Sequence, residues 1–176
     1  MPVNALKQLQ NIIEAGVKHL GQLLAWLSLL MVVVMTVVVV LRHGFGIGWI
    51  AMQESVVYMH AMLFMLGTAY TLHHDEHVRV DVFYQKFSSK TRAWIDLLGT
   101  LVILLPVCAF IFAYSFDYVM ASWDILEGSG EAGGIPGVFA LKTLLLIMPI
   151  TLGLQGIATG IKNLLIILGA EEGGQA

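Results

Sequence analysis

The stretch HHDEHVRVD, residues 73–81, is the densest charged segment of the chain, and two long apolar runs lie on each side of it. Only 12% of the 176 residues are charged, whereas 58% are hydrophobic. A run of roughly 20 apolar residues is long enough to cross the hydrocarbon core of a membrane as a helix. The pattern therefore predicts an all-α membrane protein in which this segment connects the second span to the third.

The four apolar runs predict four transmembrane helices, which form one domain over residues 23–170. Lipid offers a backbone no hydrogen bonds, so the Val-rich half of the first run is predicted as helix rather than strand. Pro106 predicts a kink in the third span. The remaining residues are too few for a separate soluble catalytic domain, and residues 171–176 are predicted as a disordered tail. The spans are predicted at about residues 23–41, 49–72, 94–116 and 138–168.

Two further helices are predicted outside the spans. Residues 1–22 place apolar side chains at helical spacing with polar ones opposite, which predicts an amphipathic helix. Such a helix lies in the headgroup region or packs on protein, and the interfacial position is favoured. A second, short interfacial helix is predicted at Val82–Lys90 between spans two and three, with Asp81 as its N-cap.

The distribution of basic residues predicts the orientation of the chain. Four spans place both termini on the same side of the membrane as the central connector. That side carries seven of the nine Lys and Arg residues, and Arg42 and Lys142 are on the other. Because positive charge is retained in the cytoplasm, both termini and the connector are predicted to be cytoplasmic. The seven are Lys7, Lys18, Arg79, Lys86, Lys90, Arg92 and Lys162.

Glu54 is the costliest residue of the spans, because inserting a carboxylate costs roughly 2.5–3.5 kcal/mol. Trp49 indicates that Glu54 lies about one helical turn below the membrane surface. Two explanations remain open: a coupling-ion or proton site, or a structural ion pair with Arg42 across the short turn. The ion pair is favoured, because buried charges are usually paired.

Two helix faces are candidates for contact with another membrane protein. Gln53, His60 and Gly67 recur every seven residues and so share one face of the second span. Polar and small residues within a span are normally turned towards protein. Gly156 and Gly160 form a small-xxx-small pair that permits close approach of a second helix.

The histidine, cysteine and acidic residues match no established motif for a metal or haem site. The connector offers several ligand types, but their spacing matches no metal motif. A haem between two helices needs two histidines at matching depth, and only His60 lies deep in a span. Cys108 is the single cysteine, so it forms no disulfide within the chain. We therefore expect no catalytic residue, metal, cofactor or nucleic-acid partner.

Several segments resemble one family of membrane proteins. They are a glutamate early in the second span (Gln53-Glu54), FMLGTAYTL (64–72), HVRVDVFY (77–84), IDLLG (95–99) and GGIPGVFALK (133–142). In this order they resemble the DctQ-type small membrane subunit of tripartite ATP-independent periplasmic (TRAP) transporters. The similarity covers nearly all of residues 20–168, and its motif positions are Glu54, His77, Arg79 and Asp81.

The resemblance implies a three-part system in a bacterial inner membrane. A periplasmic binding protein (DctP type) captures an organic anion, often a carboxylate, and a large multi-span permease (DctM type) imports it with a sodium gradient. The four-span small subunit is then a non-enzymatic scaffold in contact with the large permease and with membrane lipids. Arg79 and Asp81 are expected to anchor the connector at the cytoplasmic surface.

The loop between the last two spans has two open interpretations. Its acidic residues Asp124, Glu127 and Glu131 either help to dock the binding protein or belong to a solvated turn. Two alternative functions also remain: a four-span assembly or adaptor protein outside transport, and a membrane redox subunit that holds haem or quinone.

Overall fold

The computed structural model describes residues 2–77, 84 and 86–170, most of which are helical. Four of its helices are long and apolar enough to cross a membrane, which confirms the predicted all-α, four-span class. The third of them, Ser89–Asp124, is continuous and consists of α3, a π-helical segment and α4. The elements are α1 (Pro2–Gly44), α2 (Ile50–His73), α3 (Ser89–Gly99), the π-helical segment (Thr100–Leu104), α4 (Leu105–Asp124) and α5 (Val138–Ile167).

Helix α1 joins the predicted amphipathic segment and the first span into one helix of 43 residues. A straight helix of that length spans about 65 Å, roughly twice the thickness of the hydrocarbon core. Its buried residues Gln10, Val17, Leu24 and Val38 are seven or fourteen positions apart and form a narrow stripe against protein. Leu9, Ile12 and Leu23 of the same segment are exposed. The segment thus packs on protein along one stripe, and its interfacial position stays a prediction.

The third span begins earlier than predicted. Ser88 caps α3 by accepting a hydrogen bond from the Thr91 backbone N–H, so Lys90 lies in the first turn of this span. Of the predicted interfacial helix Val82–Lys90, residues 82, 83 and 85 lie outside the described residues, as does its predicted cap Asp81. The predicted tail, residues 171–176, lies outside them too.

A π-helical segment precedes Pro106, and the kink predicted at this proline stays a prediction. Residues Thr100–Leu104 are π-helical, and the Leu105 N–H bonds to the Thr100 carbonyl, five residues back. Proline has no N–H to give to the carbonyl four residues before it, and a π-helical turn is a common way to absorb such a break.

Helix α2 ends at His73, where the charged connector begins. The Glu76 N–H bonds to the Thr71 carbonyl and the Asp75 N–H to the Leu72 carbonyl. This is the Schellman pattern, with Asp75 in the left-handed position at φ 57°. The chain therefore leaves the helix in a defined turn before the connector.

Helix α5 is the centre of the structure, since it packs against α1, α2 and the third span. Half of the residues in its most apolar stretch are buried, against 6% in α1 and 11% in α2. Helices α1 and α2 pack on each other as well, and Gly21 lies so close to the Tyr70 ring that a Cβ at this position would overlap it. Apart from this contact and its buried stripe, most of the residues of α1 are exposed.

Candidate functional site

Glu54 lies in the second turn of α2, where it holds the loop that connects α4 to α5. One carboxylate oxygen accepts a hydrogen bond from the Ser129 Oγ, and the other accepts one from the Ile135 backbone N–H at 2.6 Å. The Ser129 N–H in turn bonds to the Ile135 carbonyl at 3.1 Å, which closes the loop on itself. The carboxylate thus fastens a loop that follows it by 75 to 81 residues.

Gly134 makes room for this carboxylate. A Cβ at Gly134 would overlap the Ser129 Oγ and would lie 2.8 Å from the Glu54 Oε1. Real Cβ atoms essentially never approach that closely. Glu54, Ser129, Gly134 and Ile135 therefore form one unit, which we call the Glu54 clamp.

The predicted partner of Glu54 was Arg42, and the structure gives Glu54 different partners. Both carboxylate oxygens are used by the loop, and among the described residues no ion pair joins Glu54 to Arg42. Arg42 is exposed in the last turn of α1 and lines a groove with Gln53. A hydroxyl and a backbone N–H are the donors to Glu54, and the alternative of a coupling-ion or proton site stays a prediction.

Glu127 fastens the same loop at a second point. Its Oε2 accepts a hydrogen bond from the Ser122 Oγ at 2.6 Å and forms an ion pair with Lys142 of α5. These two donors hold the pKa of the Glu127 carboxyl below its ordinary value of 4.5. The Lys142 ammonium also lies 4.2 Å from the centre of the Tyr118 ring. Glu127 is therefore engaged within the chain.

The other two acidic residues of the loop point outward. Asp124 is the last residue of α4, and Glu131 lies in the loop that the Glu54 clamp closes; both are exposed. The Glu131 backbone takes part in the clamp, since its N–H donates to the Ser129 Oγ at 3.1 Å and its carbonyl accepts from the Gly134 N–H at 3.0 Å. Of the three predicted docking residues, these two present carboxylates at the surface.

The predicted Gln53–His60–Gly67 face borders an open groove between α1 and α2. Gln53 lines one part of this groove and His60, which is exposed, lines the adjoining part. The His60 ring stacks on Phe64 at 6.4 Å, and 70% of the Phe64 surface is exposed. A Cβ at Gly67 would meet nothing within 4 Å. We call these residues, Gln53, His60, Phe64 and Gly67, the α2 outer face.

The predicted Gly156–Gly160 face has its partner within the chain. A Cβ at Gly156 would lie 2.7 Å from the Leu104 Cδ2, and one at Gly160 would lie 3.7 Å from the Leu97 Cδ1. Both glycines are buried, and both side chains that they meet belong to the third span. The small-xxx-small pair indeed permits close helix approach, but the approaching helix is the chain's own.

The end of the HVRVDVFY motif is fastened to the third span. The Tyr84 hydroxyl donates a hydrogen bond to the Asp96 Oδ2, and the Arg92 guanidinium lies 5.6 Å from the centre of the Tyr84 ring. The pattern of the sequence alone did not reveal this contact. His77 is exposed, and the motif positions Arg79 and Asp81 lie outside the described residues.

Among residues 2–77, 84 and 86–170, no group of three or more His, Cys, Asp or Glu side chains is placed to hold a metal ion. Cys108 is buried in α4. The polar contacts described above join helices to one another and to the loop.

The four spans and these contacts define a multi-pass membrane protein whose charged residues fasten its own connections. A family model described as "Tripartite ATP-independent periplasmic transporters, DctQ component" matches residues 31–164. Because the match covers more than half of the chain, the protein belongs to the DctQ family, as the sequence motifs predicted. This is a family of transporter components and not of enzymes. Searches of curated proteins and of solved structures found no match.

Proposed function

We propose that this chain is the small permease subunit that holds a large multi-span permease in place during sodium-driven, binding-protein-dependent uptake of an organic anion such as a carboxylate. Membership of the DctQ family, over residues 31–164, is the observation that carries the proposal. The partners are then a DctM-type permease and a DctP-type binding protein, and the membrane is the bacterial inner membrane.

The distribution of buried surface supports a scaffold role. Helix α5 is the packed centre, whereas α1 exposes most of its large apolar residues and only 11% of the apolar stretch of α2 is fully buried. Apolar exposure alone does not distinguish lipid from protein, because lipid tails are themselves apolar. Polar side chains within a span do distinguish them, since such residues normally face protein.

The α2 outer face is the part of this surface that best meets that criterion. Gln53 and His60 lie two turns apart within the α2 span, and both border open grooves rather than packed protein. Gly67 lies on the same face and has no side chain, so the backbone of a second helix can approach closely there. We therefore assign this face to contact with the large permease.

Two matched glycine substitutions test this assignment. A Cβ at Gly67 and one at Gly99 would each meet nothing within 4 Å in this chain, and both residues lie in helices. Gly67→Leu and Gly99→Leu should therefore both fold, with slightly improved helix propensity. We expect Gly67→Leu to reduce co-purification of the large permease at least tenfold and Gly99→Leu to leave it unchanged.

The outcome is decided by the amount of permease recovered per small subunit. Equal recovery with the two variants would reject the α2 outer face as the contact surface. Loss of uptake in reconstituted liposomes with Gly67→Leu but not with Gly99→Leu would support a scaffold that transport requires. Uptake by the permease and binding protein in the absence of this chain would reject the scaffold role itself.

Docking of the binding protein is a separate part of the proposal. Asp124 and Glu131 are the exposed acidic residues of the loop, whereas Glu127 is engaged with Lys142. We expect Asp124→Lys combined with Glu131→Lys to lower uptake several-fold by raising the concentration of binding protein needed for half-maximal rate. Unchanged uptake at every concentration would instead mark the loop as a solvated turn.

A further inference from the structure

A polar cavity lies at the end of the structure where α2 and α5 end, and no step of the scaffold role uses it. It has a volume of about 370 Å³ and is bordered by α1, α2, the third span and α5. The residues that matter for its chemistry are Gln10, Glu14, His73, Gln155, Thr159 and Lys162. Because its walls are largely polar, the cavity favours an occupant that forms hydrogen bonds over an apolar one.

Helix α5 contributes a polar stripe to the cavity. Gln155, Thr159 and Asn163 recur every four residues, and all three line it. Gln155 is only 1% exposed, yet its side-chain oxygen has no hydrogen-bond partner within the described part of the chain. Leaving a buried acceptor unpaired costs about 1–3 kcal/mol. The deepest polar group of the cavity therefore lacks a donor.

Helix α1 contributes a second buried amide oxygen without a hydrogen-bond donor. Gln10 is 8% exposed, and its Nε2 donates a hydrogen bond to the Glu14 Oε1 at 2.9 Å. Because a carboxylate only accepts, this bond fixes which end of the Gln10 amide is the nitrogen. The Gln10 Oε1 is then the end without a partner. Two residues whose buried amide oxygens lack a donor, Gln10 and Gln155, thus line the same cavity as the Glu14 carboxylate.

The charges around the cavity are of both signs. Glu14 borders it on α1, Lys162 borders it on α5, and His73 is the last residue of α2. Asp75 and Asp96 also border it, but both make other contacts, and neither is needed here. Because the spans α2 and α5 end close to the cavity, it lies near the level of the lipid headgroups.

We propose that this cavity binds a zwitterion that carries a primary ammonium and a phosphate, the chemistry of an aminophospholipid headgroup or of free phosphoethanolamine. An ammonium has three N–H donors, which match the oxygens of Gln10, Gln155 and Glu14. The phosphate then faces Lys162 and His73. None of these residues belongs to the α2 outer face, so the proposed ligand is an addition to the contact assigned to the large permease.

A series of N-methylated headgroups tests the proposal on the unmodified chain. The full chain is placed in nanodiscs with a fixed share of phosphatidylglycerol and one variable lipid: phosphatidylethanolamine, its monomethyl or dimethyl derivative, or phosphatidylcholine. The series keeps the charge and the phosphate and removes the N–H donors one at a time. We expect Tm to be several degrees higher in phosphatidylethanolamine and to fall at each methylation.

Two variants assign the effect to the cavity. Gln155→Leu and Gln10→Leu remove the unpaired oxygens, so Tm should become independent of the headgroup. Gln8→Leu is the matched control on the exposed side of α1 and should keep the full dependence. Addition of phosphoethanolamine to phosphatidylcholine discs separates the two sources, because a rise in Tm there identifies a soluble ligand. Equal Tm in all four lipids without a response to phosphoethanolamine, or an unchanged headgroup dependence in Gln155→Leu, would overturn the proposal.

Discussion

At the scale of the residue, substitutions of Glu54 distinguish a structural hydrogen-bond acceptor from a carboxylate that carries a proton or an ion. Glu54→Gln keeps an oxygen for the Ile135 N–H and an amide near the Ser129 Oγ, whereas Glu54→Leu leaves that N–H without its acceptor. We expect Glu54→Leu to lower the Tm of the purified chain by a few degrees and Glu54→Gln to lower it less. Uptake with Glu54→Gln should stay close to that of the native chain. Abolished uptake with an unchanged Tm would instead indicate that Glu54 carries a proton or an ion.

Gly134 gives a second prediction at the same scale. The Cβ of Gly134→Ala would come within 2.8 Å of the Glu54 Oε1, so the clamp has to open or shift. Overpacking of this kind costs about 1–3 kcal/mol. Gly130→Ala is the control in the same loop, since a Cβ there would meet nothing within 4 Å. The free energy of unfolding in detergent should fall for Gly134→Ala alone, and equal values for the two variants would contradict the geometry.

The sequence identified Glu54 as exceptional but did not identify its partners. The cost of a carboxylate in a span is a local property and is readable from the residue and its neighbours. Ser129 and Ile135 follow Glu54 by 75 and 81 residues, and no periodicity connects positions that far apart. Arg42 is the nearest arginine or lysine in the sequence, whereas the packing of α2 against α5 brings the loop to Glu54.

At the scale of the element, the loop between α4 and α5 should respond to acid. Lys142 and, to a lesser extent, Ser122 lower the pKa of Glu127 below 4.5. The stability that this carboxylate contributes is therefore present above pH 4.5 and is lost as pH falls through the lowered pKa. We expect the difference in Tm between the native chain and Glu127→Gln to be constant from pH 7 to pH 5 and to shrink at lower pH. A difference that grows towards pH 3 would contradict this sign.

Helix α5 shows what an element-level pattern leaves out. Its glycines drew attention to close packing, which occurs, but against the third span of the same chain. The polar stripe Gln155, Thr159 and Asn163 was present in the sequence at a spacing of four and would have indicated a polar environment on another face. The cavity is not predictable from ionisable residues alone, because amides and a hydroxyl form most of the α5 part of its lining.

At the scale of the whole molecule, the apolar runs were enough to predict four spans, because a bilayer imposes helix and length on each of them. The packing order was not predictable in the same way. The largely exposed α1 has a higher mean hydropathy than the central α5, but hydropathy does not show which small residues meet a neighbour. Helix α1 continues across the predicted boundary at residue 22, because no proline lies there and a single glycine, Gly21, is tolerated within a helix.

The orientation of the molecule is the remaining prediction, and the single native cysteine makes it testable. Seven of the nine basic residues lie on the side of the termini and the connector, which predicts that this side is cytoplasmic. In a Cys108→Ser background, Glu131→Cys and His77→Cys place one exposed thiol on each side. A membrane-impermeant maleimide should label Glu131→Cys in intact spheroplasts and His77→Cys only after permeabilisation, because the Glu54 clamp then lies in the periplasm. The reverse labelling pattern would contradict the predicted orientation. The α4–α5 loop would then be cytoplasmic and could not contact a periplasmic binding protein.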